Sequence, residues 1–581
     1  MTVAAARNDA SYVNFREAGY WLDKTVDQLL TEAVARTPDK VAIVADRADR
    51  EQAPRFTYKE LEKLADRAAS SLVRLGVGRG DIVTVQLPNW WEFVVTAFAC
   101  SKIGAVMNPV MPILRERELL YILNFCQAKV FIVPKVYRGF DYAAMAQGMR
   151  ADLPHLKHVI VADGEGETGF DRMLLASEAD RLPPGLRPDD MAVLMFTSGT
   201  TGEPKGVMHT SYSLIACCKA LSGRFGLDSS DVLLVASPVG HMTGYAAIVL
   251  LSVYLGGTMI LQDIWEAKRR VGLMAREGVT YAAASTPFLS DICDAVKAGA
   301  PQPKSLRSFL CGGAPIPSVL IDRAADELGL KVCSLWGMTE VLSGTLTEPA
   351  RAAEKSAGTD GRTLEGRIVD TEGGALKSGR LLVRGAQMFK GYYKRPELPT
   401  FDSEGWFDSG DLADMDKDGY IRISGRVKDI LIRGGENVPV VEIENLLYKH
   451  PAVSAVGSWD SRIHGSASVV VPLSSPATGA GSISRRCRPI WVKPKWQSSS
   501  GPSGSRSWPS FRGPPAARSR SSSCASSPRS LPTQGKLLIG IGRIASLAKR
   551  GDGFRVVVRF QEDDLLPVFH HQGRVQARRV D

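Results

Sequence analysis

Between residue 12 and about residue 440 the apolar positions switch repeatedly between two rhythms. One is helical. Thr57-Tyr58-Lys59-Glu60 has the form of a capping box, in which a hydroxyl and a carboxylate three residues on satisfy each other's backbone N–H groups. Leu61, Leu64, Ala65, Ala68 and Leu72 then recur on one helix face. The other rhythm is the continuous short apolar run, at residues 81–87, 159–162, 192–195 and 232–236, each of which predicts a buried strand. An apolar helix is expected over residues 93–100. Strand and helix patterns alternating in this way predict an α/β protein, and no internal repeat interrupts them.

The chain's 581 residues exceed what one hydrophobic core supports, so more than one domain is expected. No stretch reaches the ~18 consecutive apolar residues of a membrane-spanning helix. The N-terminus lacks a basic-then-apolar leader, and a cytoplasmic enzyme is expected. The 9 cysteines form no Cys-x-x-Cys pair, which suggests packed, reduced thiols.

The net charge of +10 points toward nucleic acid only until it is divided along the chain. Residues 458–581 carry 20 Lys/Arg against 6 Asp/Glu, which leaves 52 against 56 for residues 1–457. The basicity belongs to the tail, and the mildly acidic body argues against a nucleic-acid partner. The composition changes at the same place: no acidic residue lies between Asp460 and Asp552, and Ser, Pro, Arg and Gly dominate residues 498–530. Two readings stand open for residues 458–581, a disordered basic arm and the product of a shifted reading frame.

The densest chemistry lies in Phe196-Thr197-Ser198-Gly199-Thr200-Thr201-Gly202-Glu203-Pro204-Lys205-Gly206, which packs 3 glycines, 4 hydroxyls and a lysine behind a predicted strand. Glycines let backbone N–H groups converge on an anion, hydroxyls add donors, and Lys205 adds charge. The spacing is not that of a Walker loop. Further on come Ser237-Pro238-Val239-Gly240-His241-Met242-Thr243-Gly244, Cys311-Gly312-Gly313-Ala314-Pro315, Trp336-Gly337-Met338-Thr339-Glu340, Trp406-Phe407-Asp408-Ser409-Gly410-Asp411-Leu412 and Gly425-Arg426-Val427-Lys428-Asp429. Taken singly, His241 suits a structural role, Gly312-Gly313 a tight turn and Asp411 a solvated loop.

Taken together and in this order, the motifs resemble the signatures of the adenylate-forming enzymes, which include acyl-CoA synthetases, luciferases and peptide-synthetase adenylation domains. The resemblance covers about residues 12–456 and implies a large N-terminal multi-sheet α/β domain (1–425). A hinge and the start of a small C-terminal α+β domain (426–457) would follow, with the rest of that domain disrupted. It implies that Thr197, Ser198, Gly199, Thr200, Thr201, Gly202 and Lys205 hold ATP phosphates, with Thr339 donating to phosphate and Glu340 binding Mg2+. Gly312, Gly313, Ala314 and Pro315 would contact adenine, Trp336 and Gly337 would complete the nucleotide wall, and Asp411 would accept the ribose hydroxyls. Arg426 would contact the nucleotide, Lys428 would be the pivot, and Gly434 and Gly435 would approach CoA. His241, with Gly312, would line the acyl pocket. The family usually carries Tyr where this chain has Trp336.

Residues 86–93 and 111–118 look most like cyclohexanecarboxylate-CoA ligase and short- or medium-chain acyl-CoA synthetases. The implied reaction joins a carboxylic acid to CoA through an acyl-adenylate. The alternatives are an amino-acid or aryl-acid adenylating enzyme, or a nucleotide- or acyl-binding protein without a working C-terminal domain. That domain normally supplies an adenylation lysine. Back-translated with GC-rich choices, the shifted frame over residues 491–519 can spell a string resembling the family's C-terminal signature and ending in Pro-Ser-Gly-Lys, its lysine codon straddling Ala517 and Arg518. Leu531-Pro532-Thr533-Gln534-Gly535-Lys536 only imitates that element, and Gly540-Ile541-Gly542-Arg543-Ile544-Ala545 matches a dinucleotide loop only loosely.

Overall fold

The computed structural model describes residues 15–197, 203–313, 316–356, 361–362, 366–369 and 378–426, and beyond them short strands between residues 432 and 578. The chain divides into two compact units, Met1–Lys428 and Asp429–Asp581. In the second unit the described residues include two four-stranded sheets. In one of them Leu538–Gly542 runs antiparallel to Ser468–Pro472. Gly540 and Gly542 are therefore ladder residues, and not the strand-to-helix turn that a dinucleotide loop requires. Ser198 to Gly202, Ala314, Pro315, Lys428, Gly434, Gly435 and the 498–530 stretch lie outside the described residues.

The first unit is built on a 7-stranded and a 13-stranded sheet. Its helices form where the sequence predicts them. The capping box is real: the Thr57 N–H donates to Glu60 Oε2 at 2.8 Å, and the Glu60 N–H donates to Thr57 Oγ1 at 3.2 Å, at the start of helix Tyr58–Arg74. The apolar run at 93–100 forms helix Trp91–Ile103, buried at almost every position. Burial on all sides explains why that run lacks the polar stripe of a surface helix. The predicted strands are present as Ile82–Val85, His158–Ala162, Met191–Thr197 and Val232–Val235.

Neighbouring strands of the larger sheet run in the order Lys331–Met338, Ser308–Gly312, Tyr281–Ala284, Val232–Val235, all parallel. Three of the motif segments lie at or just beyond the carboxyl ends of these strands. Open parallel sheets bind their ligands at that edge. The cysteines Cys100, Cys126, Cys217, Cys218, Cys293, Cys311 and Cys333 are all free and buried, and burial pushes their thiols up, that of Cys217 to about 11. No described helix is long and apolar enough to cross a membrane.

Candidate functional site

The Gly/Thr-rich segment joins two antiparallel strands, Met191–Thr197 and Lys205–Thr210, with Thr197 paired to Lys205 across the ladder. The residues at its two ends are thus fixed by the sheet. The exit is anchored again, since Glu203 accepts from the Tyr121 hydroxyl at 3.1 Å and pairs with Arg395.

Thr339 and Glu340 occupy the tip of a hairpin between strands Lys331–Met338 and Leu342–Leu346. The Val341 N–H donates to the Met338 carbonyl at 3.0 Å, and Leu342 follows at φ +59°. A left-handed φ of this kind is normally taken by glycine. A leucine there is strained backbone beside the candidate chemistry. The tip is pinned from two sides: His209 Nε2 donates to the Thr339 carbonyl at 2.7 Å, and the Phe389 N–H donates to the Glu340 carbonyl at 2.9 Å.

The Phe389 segment continues into strand Gly391–Tyr392, which pairs with Lys205–Thr210. It therefore ties the hairpin tip of one sheet to the edge of the other. Tyr392 joins the two charges, donating from its hydroxyl to Glu340 Oε1 at 2.9 Å while Lys205 Nζ lies 5.0 Å from its ring centroid. Glu340 is buried. Its carboxyl is pushed up by loss of water, an effect opposed by the Tyr392 hydroxyl and the charges of Lys205 and Arg426. A single buried carboxylate beside a lysine is suited to a cation that keeps several waters and is completed by a ligand's phosphates, as Mg2+ is. Among the described residues no group of three or more His, Cys, Asp or Glu could hold a metal alone.

Asp411 stands inside strand Phe407–Met415, directly opposite Arg426 of strand Tyr420–Arg426. The solvated loop that its glycine-rich surroundings suggest is absent: the carboxylate is buried. Arg426 Nε donates to Asp411 Oδ1 at 3.0 Å and Trp336 Nε1 donates to Oδ2 at 2.8 Å. The sheet curls enough to bring Asp411 to Trp336 although their strands stand four apart in the sheet. Trp336 is only 8% exposed, packed among Val207, Val341 and Tyr392. Gly337 follows it on the exposed side of a register shift. Gly312 ends its strand, and Gly313 turns away at φ +82°.

His241 stands three strands from the Thr339–Glu340 hairpin along the parallel edge. Its Nδ1 accepts the Thr243 N–H at 3.2 Å, capping the short helix Met242–Gly244. The ring is accessible, yet surrounding protein lowers its pKa by desolvation, the combination expected of a cleft wall. The preceding Gly240 has no room for a side chain, since a Cβ would come within 2.9 Å of the Val110 carbonyl oxygen.

The residues that hold this architecture are ones the motif reading missed. Asn89 Nδ2 lies within 2.9–3.1 Å of the carbonyls of Val235, Ser237 and Gln262, and its Oδ1 accepts the Val239 N–H at 2.9 Å. Gln86 Nε2 reaches the carbonyls of Met111 and Leu114 at 3.1 and 3.0 Å. A lone polar residue inside the apolar run Leu87-Pro88-Asn89-Trp90-Trp91 is the signal that marks Asn89. Tyr392 and His209 carry no such signal.

The fold thus sets a hydroxyl-rich loop and a lysine on one sheet beside a buried glutamate and a strand-borne aspartate on the other, in a chain whose relatives are adenylate-forming carboxylate ligases. The chain belongs to the AMP-binding enzyme family, whose model matches residues 30–393. It is 32% identical to the medium-chain fatty-acid–CoA ligase of Escherichia coli K12 over 82% of this chain and 86% of that protein. It is 33% identical to the 2,3-dihydroxybenzoate-AMP ligase of Bacillus subtilis 168, over 76% and 82% respectively. Among solved structures, a Mycobacterium tuberculosis fatty acyl CoA synthetase superposes with a TM-score of 0.65 at 28% identity, covering 77% of this chain and 87% of that one.

Proposed function

We propose that the protein is an ATP-dependent carboxylate–CoA ligase acting on a short- or medium-chain or alicyclic acid. The observation that carries this reading is the Lys205–Tyr392–Glu340 cluster at the exit of the glycine- and threonine-rich loop. Residues 197–202, Lys205 and Thr339 bind the phosphates of ATP, and Glu340 would hold Mg2+. Bound there, the ion neutralises phosphate charge. Gly312–Pro315 and Gly337 form the nucleotide wall beside Trp336, Asp411 takes the ribose, and Arg426 steadies Asp411. His241 lines the acyl cleft, held there by Asn89.

The chain's residues orient the acid's carboxylate oxygen toward the α-phosphorus. That oxygen forms the new P–O bond as the bond to pyrophosphate breaks. The CoA sulfur then attacks the acyl carbon, and AMP leaves. Catalysis of this kind rests on positioning and charge neutralisation. Residues 426–457 are the hinge and the beginning of the C-terminal domain, with Lys428 as pivot and Gly434 and Gly435 beside CoA. The protein works in the cytoplasm.

A second reading, an aryl-acid adenylating enzyme, is favoured by the similarity to the dihydroxybenzoate ligase. ATP–pyrophosphate exchange with aliphatic, alicyclic and aromatic acids, followed by thioester assay with CoA, separates the two. Exchange confined to aromatic acids would overturn the first reading. ATP binding without exchange for any acid would leave a nucleotide-binding protein.

A further inference from the structure

We infer that Trp336 is a positioning residue for Asp411: its indole N–H fixes the plane of the carboxylate that receives the ribose diol. The inference rests on the ribose role proposed for Asp411. A carboxylate that must take two vicinal hydroxyls has to present both oxygens in one orientation, and the terminal torsion of aspartate is soft and broad. Among the described residues Trp336 and Arg426 donate to it, one to each oxygen. They differ in kind. The side chain of Arg426 is 52% exposed, whereas the side chain of Asp411 is 4% exposed and its partner Trp336 is buried.

The local structure serves that indole. Trp336 donates its backbone N–H to Thr345 Oγ1 at 3.2 Å, and the ladder slips by a residue immediately after it. Such slips re-aim side chains beside functional sites. Gly344 supplies the space: a Cβ there would fall 2.5 Å from Trp336 Cζ3 and 2.7 Å from Cε3. Any side chain at 344 would push the six-membered ring aside and rotate the N–H off Asp411. A phenol in place of the indole carries its polar atom at the far end of the ring, not on the flank that faces Asp411. The Trp at this position, where Tyr is usual, is thereby joined to the ribose carboxylate by a bond that only an indole makes.

The test is equilibrium binding of ATP, 2′-deoxyATP and 3′-deoxyATP to the full chain by calorimetry, with the wild type, Trp336→Phe and Asp411→Asn. The wild type should bind each deoxy analogue about tenfold more weakly than ATP, the effect of one hydrogen bond to a charged group. Trp336→Phe should bind ATP about tenfold more weakly and lose most of its discrimination between ATP and the two analogues, because a misaligned carboxylate no longer reads either hydroxyl. Replacing Trp336 by 3-benzothienylalanine, which keeps the ring and exchanges N–H for sulfur, should do the same, and it serves if the phenylalanine variant does not fold. Unchanged ATP affinity would overturn the inference. So would an equal loss for all three nucleotides, which marks a merely structural role. If instead Asp411→Asn leaves all three affinities unchanged, the ribose reading itself falls.

Discussion

The Tyr392 hydroxyl donates to the Glu340 carboxylate at 2.9 Å, and the same phenol ring lies 5.0 Å from Lys205 Nζ. One side chain thus sets the distance between the charge proposed for phosphate and the carboxylate proposed for Mg2+. The lysine begins the second strand of one sheet and the glutamate stands on a hairpin of the other. Tyr392 belongs to the segment that joins those sheets, so the geometry of the site depends on their packing.

Tyr392→Phe should keep the ring under Lys205 and remove the donor from Glu340. Burial already raises the Glu340 carboxyl, and the hydroxyl opposes that rise. Without it the pKa climbs further, and the carboxylate is protonated at a higher pH. We expect Mg-ATP affinity to fall about tenfold, with a loss that grows as pH decreases. Calorimetric titrations with and without Mg2+ across the acid range check this. A pH-independent loss would mean that the hydroxyl does not act through Glu340.

Asn89→Ala should loosen the His241 loop, because one amide serves the carbonyls of Val235, Ser237 and Gln262 and the N–H of Val239. Leaving buried backbone groups unpaired costs about 1–3 kcal/mol each, so stability should fall by several kcal/mol at most. Asn89→Asp, which keeps an acceptor for Val239 but turns a carboxylate oxygen on the three carbonyls, should not recover it. Urea unfolding reads the loss. If the clamp also shapes the acyl cleft, the apparent affinity for the acid falls more than that for ATP.

The sequence reveals the strands, the capping box and the order of the motifs because each is written in local chemistry: a glycine-rich turn, an apolar run, a hydroxyl three residues before a carboxylate. It does not reveal that Asp411 is buried in a strand. Its neighbours Ser409 and Gly410 favour a turn, and only pairing with Ser378–Val383 on one side and Tyr420–Arg426 on the other turns the segment into sheet. Tyr392 is illegible for a related reason. Its partners Glu340 and Lys205 are 52 and 187 positions away, and nothing in Gly391-Tyr392-Tyr393 says which tyrosine faces inward. Trp336 reads only as part of a nucleotide wall until Gly344, eight residues on, is seen beneath its ring.

His241 should stay neutral to a lower pH than a free imidazole, since desolvation lowers its pKa and Nδ1 is already committed to the Thr243 N–H. The sign follows from linkage. The unfolded ring binds a proton near pH ~6.5 and the folded ring only below that, so stability is full above the unfolded pKa and declines as pH falls toward the folded one. His241→Gln should flatten the fall in urea midpoint between neutral and mildly acid pH. An unchanged slope would show that the ring titrates as it does in water.

Lys205→Ala should weaken ATP binding, because Lys205 is held by strand pairing at the end of the phosphate-type loop. Lys536→Ala should change little, since its surrounding sequence only imitates the adenylation element. Parallel titrations of the two variants decide it. Equal losses would give Lys536 a role in the site.

The last expectation concerns the chain's own activity. The residues proposed for the nucleotide site fall within the first unit, Met1–Lys428, whereas an element resembling the adenylation lysine can be spelled only in the shifted frame across Ala517 and Arg518. A chain without that lysine should bind ATP and yet form acyl-CoA slowly. Loss of one preorganised charge or donor costs on the order of 10² to 10³ in rate, and loss of the element presenting it costs more. Restoring the alternative frame from about Gly457 should then raise thioester synthesis by at least that factor while leaving ATP affinity within about twofold. Fast CoA ligation by the unaltered chain would sink the idea and assign the missing charge to residues after Gly457 as they stand. A coding sequence whose shifted codons do not spell Pro-Ser-Gly-Lys would sink it without any assay.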